Sequence, residues 1–372
     1  MNKNNKTNIF ILAGEPSGDM HGANLIKKMK QEKNEIYFVG IGGEKMLNAG
    51  LTSLIPMDKL SVMGFWEVIK QLSFFIKLEK LILKEFQKQS FDKIILIDYP
   101  GFNLRLAKKI KQNFNIPVFF YVSPQIWAWK ESRIQTIKQF VDEMIVLFPF
   151  EINWYKKRGV LAKFFGHPIV NNWQTYNKRN TQKAGKTKTK TIGFFPGSRE
   201  QEIKKHIPVF LDTIKTYKNK NIKFIVSKVP GLSSSLFEPF KSLNVDIVEG
   251  SSFSIFKQCN IAIVSSGTAT LECAISKTPF IAVYKMSAIS WFITKLFFTK
   301  QYACIVNILL KTSAVPELLQ NQMNAKNIIF NIDVLLRSNE RKKQIAKFEE
   351  LENTLKQKDA YLNTAKFILQ SK

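Results

Sequence analysis

The stretch FILAGEPSGDMHGANLIKKM, from Phe10 to Met29, decides the fold class that the sequence predicts. An apolar run ends in a loop with three glycines, and a segment of helical period follows. This order is typical of the βα turn of a nucleotide-binding sheet. The loop also carries Glu15 and Asp19, whose negative charges would repel a phosphate group. The stretch therefore predicts a parallel α/β sheet and leaves open what its first loop binds.

Composition excludes several classes of protein. The chain has 372 residues, of which 45% are hydrophobic, so it is long enough for two globular domains. No stretch provides the ~20 apolar residues that a membrane span requires, and we interpret the short apolar run near the start as a strand rather than a signal peptide. The three cysteines lack CxxC spacing and the three histidines are scattered. We therefore expect a cytoplasmic protein with reduced thiols, no metal and no cofactor.

The formal net charge of +27 is the strongest compositional signal. Such a charge suits nucleic acid, an anionic membrane surface or a phosphorylated substrate. The basic residues form no compact tract, which disfavours a nucleic-acid partner. Lysine and asparagine are abundant along the whole chain, so a general composition bias and attraction to a membrane both remain open.

Apolar, β-rich runs alternate with longer amphipathic segments in both halves of the chain, as in parallel sheets with crossover helices. The predicted strands are Ile9–Ala13, Ile36–Val39, Lys93–Ile97, Val118–Tyr121, Met144–Leu147, Thr191–Phe195, Lys223–Ser227, Val245–Val248, Ile261–Val264 and Phe280–Tyr284. The predicted fold class is α/β, with two tandem Rossmann-like, doubly wound parallel-sheet domains and a cleft between them. We expect an acceptor-binding domain over residues 1–170, a polar lysine-rich linker over 171–190, a donor-binding domain over 191–338 and a helical tail over 339–372.

Two strand–glycine–helix turns in the second half are the candidates for a diphosphate site. Small residues let backbone N–H groups approach a phosphate, and a helix N-terminus adds about half a positive charge. An arginine can grip phosphate oxygens with two hydrogen bonds, and a glutamate one turn into a helix can accept hydrogen bonds from ribose. Each turn alone is a weak signal, because such turns also have purely structural roles. The candidate donor residues are Gly197, Ser198, Arg199, Ser266, Gly267, Thr268 and Glu272.

Asp98 ends the apolar run FDKIILID and is the candidate general base. A carboxylate at the end of a parallel strand faces the ligand crevice, where partial burial raises its pKa and suits it to proton abstraction. The alternative is that Asp98 caps the loop that follows, and spacing alone does not decide between the two roles.

Polar side chains after two other strands suit an acceptor sugar. Glu15, Ser17 and Asp19 follow the first strand, and we expect them to face sugar hydroxyls. His21 lies at the start of the next helix, where a histidine more often has a structural role than acts as a base. Gln125 and Trp127 suit a sugar face, although a packed loop is the alternative.

Two aromatic–basic segments, LSVMGFWEVIKQLSFFIKLEKLILKEF and SAISWFITKLFFTKQY, have the pattern of helices that lie in a membrane interface. Helices of this pattern more commonly face a protein core. The candidate membrane contacts are Val62, Met63, Phe65 and Trp66.

Taken together, eight blocks in the same order from about Ile9 to Gln320 resemble the lipid-A-disaccharide synthase family. The blocks are AGEPSGDMHGA, VMGFWEV, IDYPGFN, YVSPQIWAW, FFGHP, FPGSREQEI, SSGTATLE and VNILLKTSAVPELLQ. The resemblance implies an inverting glycosyltransferase of the GT-B fold at the cytoplasmic face of the inner membrane. Such an enzyme joins UDP-2,3-diacylglucosamine to 2,3-diacylglucosamine 1-phosphate, releasing UDP and forming a β-1,6-linked disaccharide of lipid A biosynthesis.

The resemblance also implies roles for particular residues. The family's catalytic aspartate corresponds to Asp98, and a functional asparagine corresponds to Asn307 on the donor side. Gly101 stands where many members have a second acid, so Asp98 must act alone. The resemblance implies a possible homodimer. No DxD motif occurs, which disfavours a metal-chelating glycosyltransferase. A UDP-sugar epimerase of the same architecture and a non-enzymatic basic binder of membrane or nucleic acid remain the alternatives.

Overall fold

The computed structural model describes residues 6–60, 67–128, 130–180, 189–217, 221–243, 245–286 and 302–371. The chain divides into two compact units. The first comprises Met1–Pro168 together with Gln357–Lys372, and the second comprises Ile169–Lys356.

The first unit is built on a seven-stranded parallel sheet with the strand order β3-β2-β1-β4-β5-β6-β7. Its strands are β1 (Thr7–Ala13), β2 (Ile36–Ile41), β3 (Leu51–Ser53), β4 (Lys93–Ile97), β5 (Val118–Tyr121), β6 (Glu143–Val146) and β7 (Ala162–Phe164). Its helices are α1 (Pro16–Glu32), α2 (Glu44–Ala49), α3 (Glu67–Lys88), α4 (Pro100–Asn113), α5 (Ile134–Phe140), α6 (Pro149–Lys156) and a C-terminal helix (Ala360–Gln370), with 3₁₀ turns at Met57–Leu60 and Glu131–Arg133.

The second unit repeats the same plan with a six-stranded parallel sheet in the order β10-β9-β8-β11-β12-β13. Its strands are β8 (Lys190–Phe195), β9 (Ile222–Lys228), β10 (Val245–Glu249), β11 (Ile261–Ser265), β12 (Phe280–Tyr284) and β13 (Glu317–Leu319). Its helices are α7 (Pro168–Arg179), α8 (Glu200–Thr216), α9 (Ser252–Phe256), α10 (Thr268–Ile275), α11 (Ile305–Leu310), α12 (Ala325–Leu336) and α13 (Ser338–Leu355), with 3₁₀ turns at Ser234–Phe240 and Gln320–Gln322.

The two sheets confirm the predicted doubly wound α/β class. β1 and β8, the first strands of the two sheets, are almost wholly buried from Ile9 to Ala13 and from Ile192 to Phe195. Their apolar runs are continuous rather than alternating because helices cover both faces of a parallel sheet. The order in which strands are added to each sheet reverses beside its first strand, between β1 and β4 and between β8 and β11. Loops at the carboxyl ends of such strand pairs are the usual ligand sites of open α/β sheets.

The first part of the segment expected to be a polar linker, residues 171–179, is helical. Residues 168–179 form α7, in which Ile169 and Val170 are buried and the Trp173 ring lies 5.3 Å from that of Phe253. These apolar positions recur at helical spacing among polar residues, so the polar composition hid the pattern. Pro168 also suits the first turn of a helix, because its missing N–H would have no partner there.

The expected C-terminal tail is shared between the two units. α13 belongs to the second unit, and the C-terminal helix belongs to the first. There Lys28 forms a 2.8 Å ion pair with Asp359, and His21 Nδ1 lies 3.0 Å from the Tyr361 hydroxyl. Burial of apolar side chains against α1 and the first sheet explains this placement. Among the described residues, no helix has both the length and the apolar character needed to cross a membrane.

Candidate functional site

A pocket of about 420 Å³ lies at the carboxyl ends of β8 and β11, where the strand order of the second sheet reverses. Loops after β9 and β10 complete it. It is lined by Phe195, Pro196, Gly197, Ser198, Arg199, Glu202, Ser227, Val229, Pro230, Gly250, Ser252, Ser265, Ser266, Gly267, Thr268, Ala269 and Glu272. All seven donor candidates taken from the two turns are therefore in one pocket.

The loop after β8 turns sharply at Gly197, whose φ of +112° lies in the left-handed region. A Cβ at this position would lie 3.1 Å from Oε2 of Glu202, so both the conformation and the space favour glycine. α8 begins directly after Arg199, whose side chain is 73% exposed. Its guanidinium lies 3.5 Å from Glu202, which also accepts a hydrogen bond from the Tyr284 hydroxyl at 3.2 Å. The cation of Arg199 is thus held beside the pocket and accessible to an anion.

The loop after β11 presents backbone rather than side chains. Gly267 precedes α10 with extended backbone, and no side chain caps the start of that helix. Among the described residues, the N–H groups of Thr268 and Ala269 have no acceptor, whereas that of Thr270 donates to the Gly267 carbonyl at 3.1 Å. The Ser265 hydroxyl is buried at the pocket wall and likewise has no partner in the described part of the chain. Buried polar groups without partners are rare in proteins, so the Ser265 hydroxyl, beside the unbonded N–H groups of Thr268 and Ala269, indicates a site for an acceptor-rich ligand.

Glu272 and Asn307, both candidates for the donor side, differ from each other in their positions. Glu272 lines the pocket, where burial raises its carboxyl pKa and a hydrogen bond with Ser252 opposes the shift. Asn307 is wholly buried and does not line the pocket. Its amide bonds to the backbone of Val315 at 2.8 and 2.9 Å and to Glu317 at 2.7 Å. These bonds show Asn307 bracing the chain between α11 and β13.

Asp98 follows β4 in the first unit and has an unusual backbone conformation. Asp98 and Tyr99 both have positive φ, +48° and +47°. The buried Asn103 amide donates to the Asp98 carbonyl at 2.7 Å and to the Ile97 carbonyl at 3.2 Å, which holds the turn in place. Two successive non-glycine residues in this region cost about 1–3 kcal/mol each, and such strain is concentrated at functional sites.

The Asp98 carboxyl is partly buried and unusually basic. Burial raises its pKa from 3.8 to about 6, the nearby Glu15 charge adds to the rise, and a hydrogen bond from the Tyr99 N–H opposes it. Glu15 and Asp98 belong to the loops after β1 and β4, which are neighbours at the reversal point of the first sheet. The Glu15 carboxylate therefore raises the proton affinity of the Asp98 carboxylate.

The other side chains of the first loop differ in their surroundings. Ser17 is exposed, whereas Asp19 is 5% exposed. The Asp19 carboxylate accepts hydrogen bonds from the N–H groups of Gly43, Lys45 and Met46 at 2.8 to 3.2 Å. These bonds place its charge at the start of α2, where a negative charge stabilises the helix. Asp19 therefore caps the start of α2, whereas the sequence predicted that it contacts sugar hydroxyls.

His21 is neutral, because burial lowers its pKa to about 4. Its contact with Tyr361 fits the structural role that the sequence favoured over a base.

The loop after β5 is anchored by an acid that the sequence analysis did not single out. Glu151, at the start of α6, is 1% exposed and accepts hydrogen bonds from Ser123 at 2.7 Å, from the Trp127 indole at 3.1 Å and from the Phe148 N–H at 3.0 Å. Burial raises its pKa to about 7, and these hydrogen bonds oppose the rise. Trp127 is therefore a packed residue, as the alternative interpretation held, whereas Gln125 is exposed. In the sequence, the motif PFE at the start of an amphipathic run was the signal from which Glu151 could have been identified.

The candidate membrane contacts lie outside the described residues; they are Val62, Met63, Phe65 and Trp66. Residues 287–301 of the second aromatic–basic segment also lie outside them. The described helix α3 follows the first four. Its Glu79 is 1% exposed and pairs with Arg105 and Lys109 of α4, the latter at 2.7 Å. The sequence analysis did not identify this buried ion cluster, which holds α3 against α4.

Comparison with known proteins places the whole chain in one family. The family model for lipid-A-disaccharide synthetase matches residues 9–370. Lipid-A-disaccharide synthase 1 of Legionella pneumophila is 35% identical over 329 residues, covering 86% of each chain. Lipid-A-disaccharide synthase of Coxiella burnetii is 33% identical over 366 residues, covering 97% of each chain.

Solved structures support the fold. The S. aureus MnaA–UDP structure has a TM-score of 0.65 and 13% identity, and the match covers 98% of this chain and 97% of that one. At this identity the likeness speaks for the fold alone, which is the two-domain GT-B fold of glycosyltransferases. The family match decides against the epimerase and the non-enzymatic binder. On its sequence match over residues 9–370 and its two doubly wound units, the chain belongs to the lipid-A-disaccharide synthase family of glycosyltransferases.

Proposed function

We propose that the pocket of the second unit binds the UDP moiety of a UDP-2,3-diacylglucosamine donor. The observation that carries this assignment is the convergence of two helix starts, at α8 and α10, with uncapped N–H groups on one pocket. Both helices direct partial positive charge to the same place, which suits a diphosphate. Arg199 and the Ser265 hydroxyl supply further donors.

The nucleoside occupies the part of the pocket formed by the loops after β9 and β10. Ser227, Val229, Pro230 and Gly250 line this part with small and apolar groups, as a base requires. Glu272 accepts hydrogen bonds from ribose hydroxyls, and its buried position makes each such bond effective.

Asp98 acts as the general base in this proposal. The 6-hydroxyl of 2,3-diacylglucosamine 1-phosphate attacks the anomeric carbon of the donor, its proton passes to the Asp98 carboxylate, and the bond to the UDP oxygen breaks. Inversion at the anomeric carbon gives the β-1,6-linked disaccharide 1-phosphate and UDP. A pKa of about 6 keeps Asp98 ionised at neutral pH and makes it a stronger base than an ordinary aspartate. The donors of the pocket stabilise the charge that develops on UDP.

Polar groups of the first unit that reach the surface serve the acceptor. Glu15 lies in the loop after β1, Ser17 in the first turn of α1 and Gln125 in the loop after β5, at the carboxyl edge of the sheet that also carries Asp98. Asp19 and Trp127 support these loops from within.

The protein associates peripherally with the cytoplasmic face of the inner membrane, where both acylated substrates reside. The net charge of +27 supports attraction to anionic lipid, and Ile76 and Leu81 of α3 are 40% and 41% exposed. Val62, Met63, Phe65 and Trp66, on the segment before α3, are the proposed contacts. Sedimentation with anionic and with zwitterionic vesicles tests this, and equal recovery with both would remove the charge argument. A homodimer is part of the proposal and is tested by the mass of the purified protein in detergent.

Incubation with both diacylated glucosamine substrates, followed by mass analysis, tests the reaction. Disaccharide 1-phosphate and UDP should appear in equal amounts, and neither should appear when one substrate is omitted. Conversion of a single sugar nucleotide without an acceptor would refute the assignment.

A further inference from the structure

The imidazole of His206 connects the loop after β8 to the end of β12. His206 lies on α8 with no exposed surface. Its Nδ1 lies 2.7 Å from the Pro196 carbonyl oxygen, and its Nε2 lies 3.1 Å from the Lys285 backbone nitrogen. A carbonyl only accepts and a backbone N–H only donates, so Nδ1 carries the proton and Nε2 accepts. Two backbone groups therefore fix the tautomer of the ring.

This hydrogen bond determines the direction of a pocket N–H group. The peptide unit between Pro196 and Gly197 is planar and trans, so the carbonyl and the N–H point in opposite directions. Since the carbonyl is bonded to the buried His206, the Gly197 N–H points away from that ring. Pro196 and Gly197 both line the pocket, and the Gly197 N–H has no acceptor among the described residues. The peptide is thus held with its donor available to a ligand.

The neutral form of His206 is the stable one at neutral pH. Burial lowers its pKa below 6.5, with the Lys285 charge acting in the same direction, while Glu202 and the two backbone bonds oppose the shift. The rings of Phe210 and Tyr284 pack around it at 6.2 and 6.0 Å between centroids.

We propose that His206 is a positioning residue for the donor, because its bond to the Pro196 carbonyl presents the Gly197 N–H to the diphosphate. It acts through the loop and does not touch the donor. This inference rests on the proposed function, which places the diphosphate in this pocket.

Three substitutions separate the two hydrogen bonds of the ring. In His206→Asn the side-chain Nδ2 takes the place of Nδ1 and can donate to the Pro196 carbonyl. In His206→Gln the side-chain Oε1 takes the place of Nε2 and can accept from the Lys285 N–H. His206→Leu keeps the volume and removes both bonds.

The measurement is the Kd of UDP by titration calorimetry, with the melting temperature of each variant recorded alongside. One lost charge-assisted N–H contact weakens binding about tenfold. We expect Kd to rise by about that factor in His206→Leu and His206→Gln, and to stay within about threefold of the native protein in His206→Asn. Ile214→Ala is the matched control, because it removes buried contacts from the same helix and leaves the Pro196 bond intact. It should lower the melting temperature without changing the Kd.

Each result supports or overturns the proposal. Native affinity in His206→Leu, or recovery by Gln and not by Asn, would overturn it. If His206→Leu does not fold, the Asn and Gln variants still give opposite results for the two bonds. Arg199→Ala is measured in parallel as a test of the site itself. Unchanged UDP affinity in Arg199→Ala would remove the diphosphate from this pocket, and the role of His206 with it. Weakened binding in Arg199→Ala with native binding in all three His206 variants would refute the His206 role alone.

Discussion

Replacing Asp98 with asparagine should abolish most of the turnover and at the same time stabilise the protein. Asparagine has nearly the same shape and also tolerates positive φ, so the turn after β4 can persist. Loss of a general base lowers rates by about 10²- to 10⁴-fold. The described residues that line the proposed UDP pocket all belong to the second unit, so the Kd of UDP should change less than about twofold.

The expected gain in stability follows from the raised pKa of Asp98. A carboxyl whose folded pKa exceeds its unfolded value stabilises the fold below the unfolded pKa, and that contribution is lost as pH rises through the folded pKa. The interval from 3.8 to about 6 corresponds to about 3 kcal/mol at 1.4 kcal/mol per pH unit. Asp98 is only partly buried, and solvent screening reduces the figure to about 1–2 kcal/mol. The variant should therefore melt about 2–6 °C above the native protein at pH 8, and the difference should shrink towards pH 4.

The assays are disaccharide formation and thermal unfolding across pH 4–9. In the native protein, kcat/KM should rise with pH through a midpoint near 6, where Asp98 ionises. Glu15→Gln is the companion variant, because removing the neighbouring charge should shift that midpoint downward. Asp98→Asn turnover within tenfold of native would refute the base assignment. An unchanged pH midpoint in Glu15→Gln would refute the coupling between the two carboxylates.

Three further substitutions and one control variant test the donor loop and the Asp98 turn. Arg199→Ala should raise the Kd of UDP about tenfold, because its side chain is largely exposed and screened. Lys204→Ala, an exposed cation one turn along α8, should leave that Kd unchanged by calorimetry. Gly197→Ala should lower the free energy of unfolding by about 1–3 kcal/mol, because alanine is strained at φ +112°; denaturant titration measures it, and an unchanged midpoint would contradict that conformation. Gly101→Asp should leave that free energy within about 0.5 kcal/mol, because a Cβ there meets no atom within 4 Å. A large loss in Gly101→Asp would mean that the turn cannot hold the second acid that the family resemblance implies at this position.

The strands were predictable because a buried parallel strand leaves a strong local pattern. All ten predicted strands exist, and the three that were missed, β3, β7 and β13, have only three residues each. Such short edge strands hold their place through pairing with a longer neighbour, as β13 does with β12, and not through their own sequence.

Roles that depend on distant partners were not predictable. The acid of Asp19 and the indole of Trp127 looked suited to a sugar, yet their hydrogen bonds join them to α2 and to Glu151. Those partners lie 24 residues or more away in sequence, and no local pattern encodes such pairing. His206, one of three scattered histidines, likewise gave no sign of its bonds to Pro196, 10 residues before it, and to Lys285, 79 residues after it.

The opening loop and the donor loops occupy the same topological position, and their residues decide what each can bind. In both sheets the first strand and its neighbour at the reversal point carry the two key loops. In the second unit these loops hold Gly197 and Gly267, whose N–H groups have no acceptor among the described residues, and one arginine, which suits the proposed binding of an anion. In the first unit the same positions hold Glu15 and Asp98, and burial together with the Glu15 charge raises the pKa of Asp98, which suits the proposed role of a base. A phosphate bound at these loops of the first unit would be repelled by two negative charges, whereas a hydroxyl bound there would have an acceptor for its proton. In the proposed function, Glu15 in the glycine-rich turn at the start of the chain is therefore the residue that suits the first unit to hydroxyl activation, while the second unit binds the leaving group.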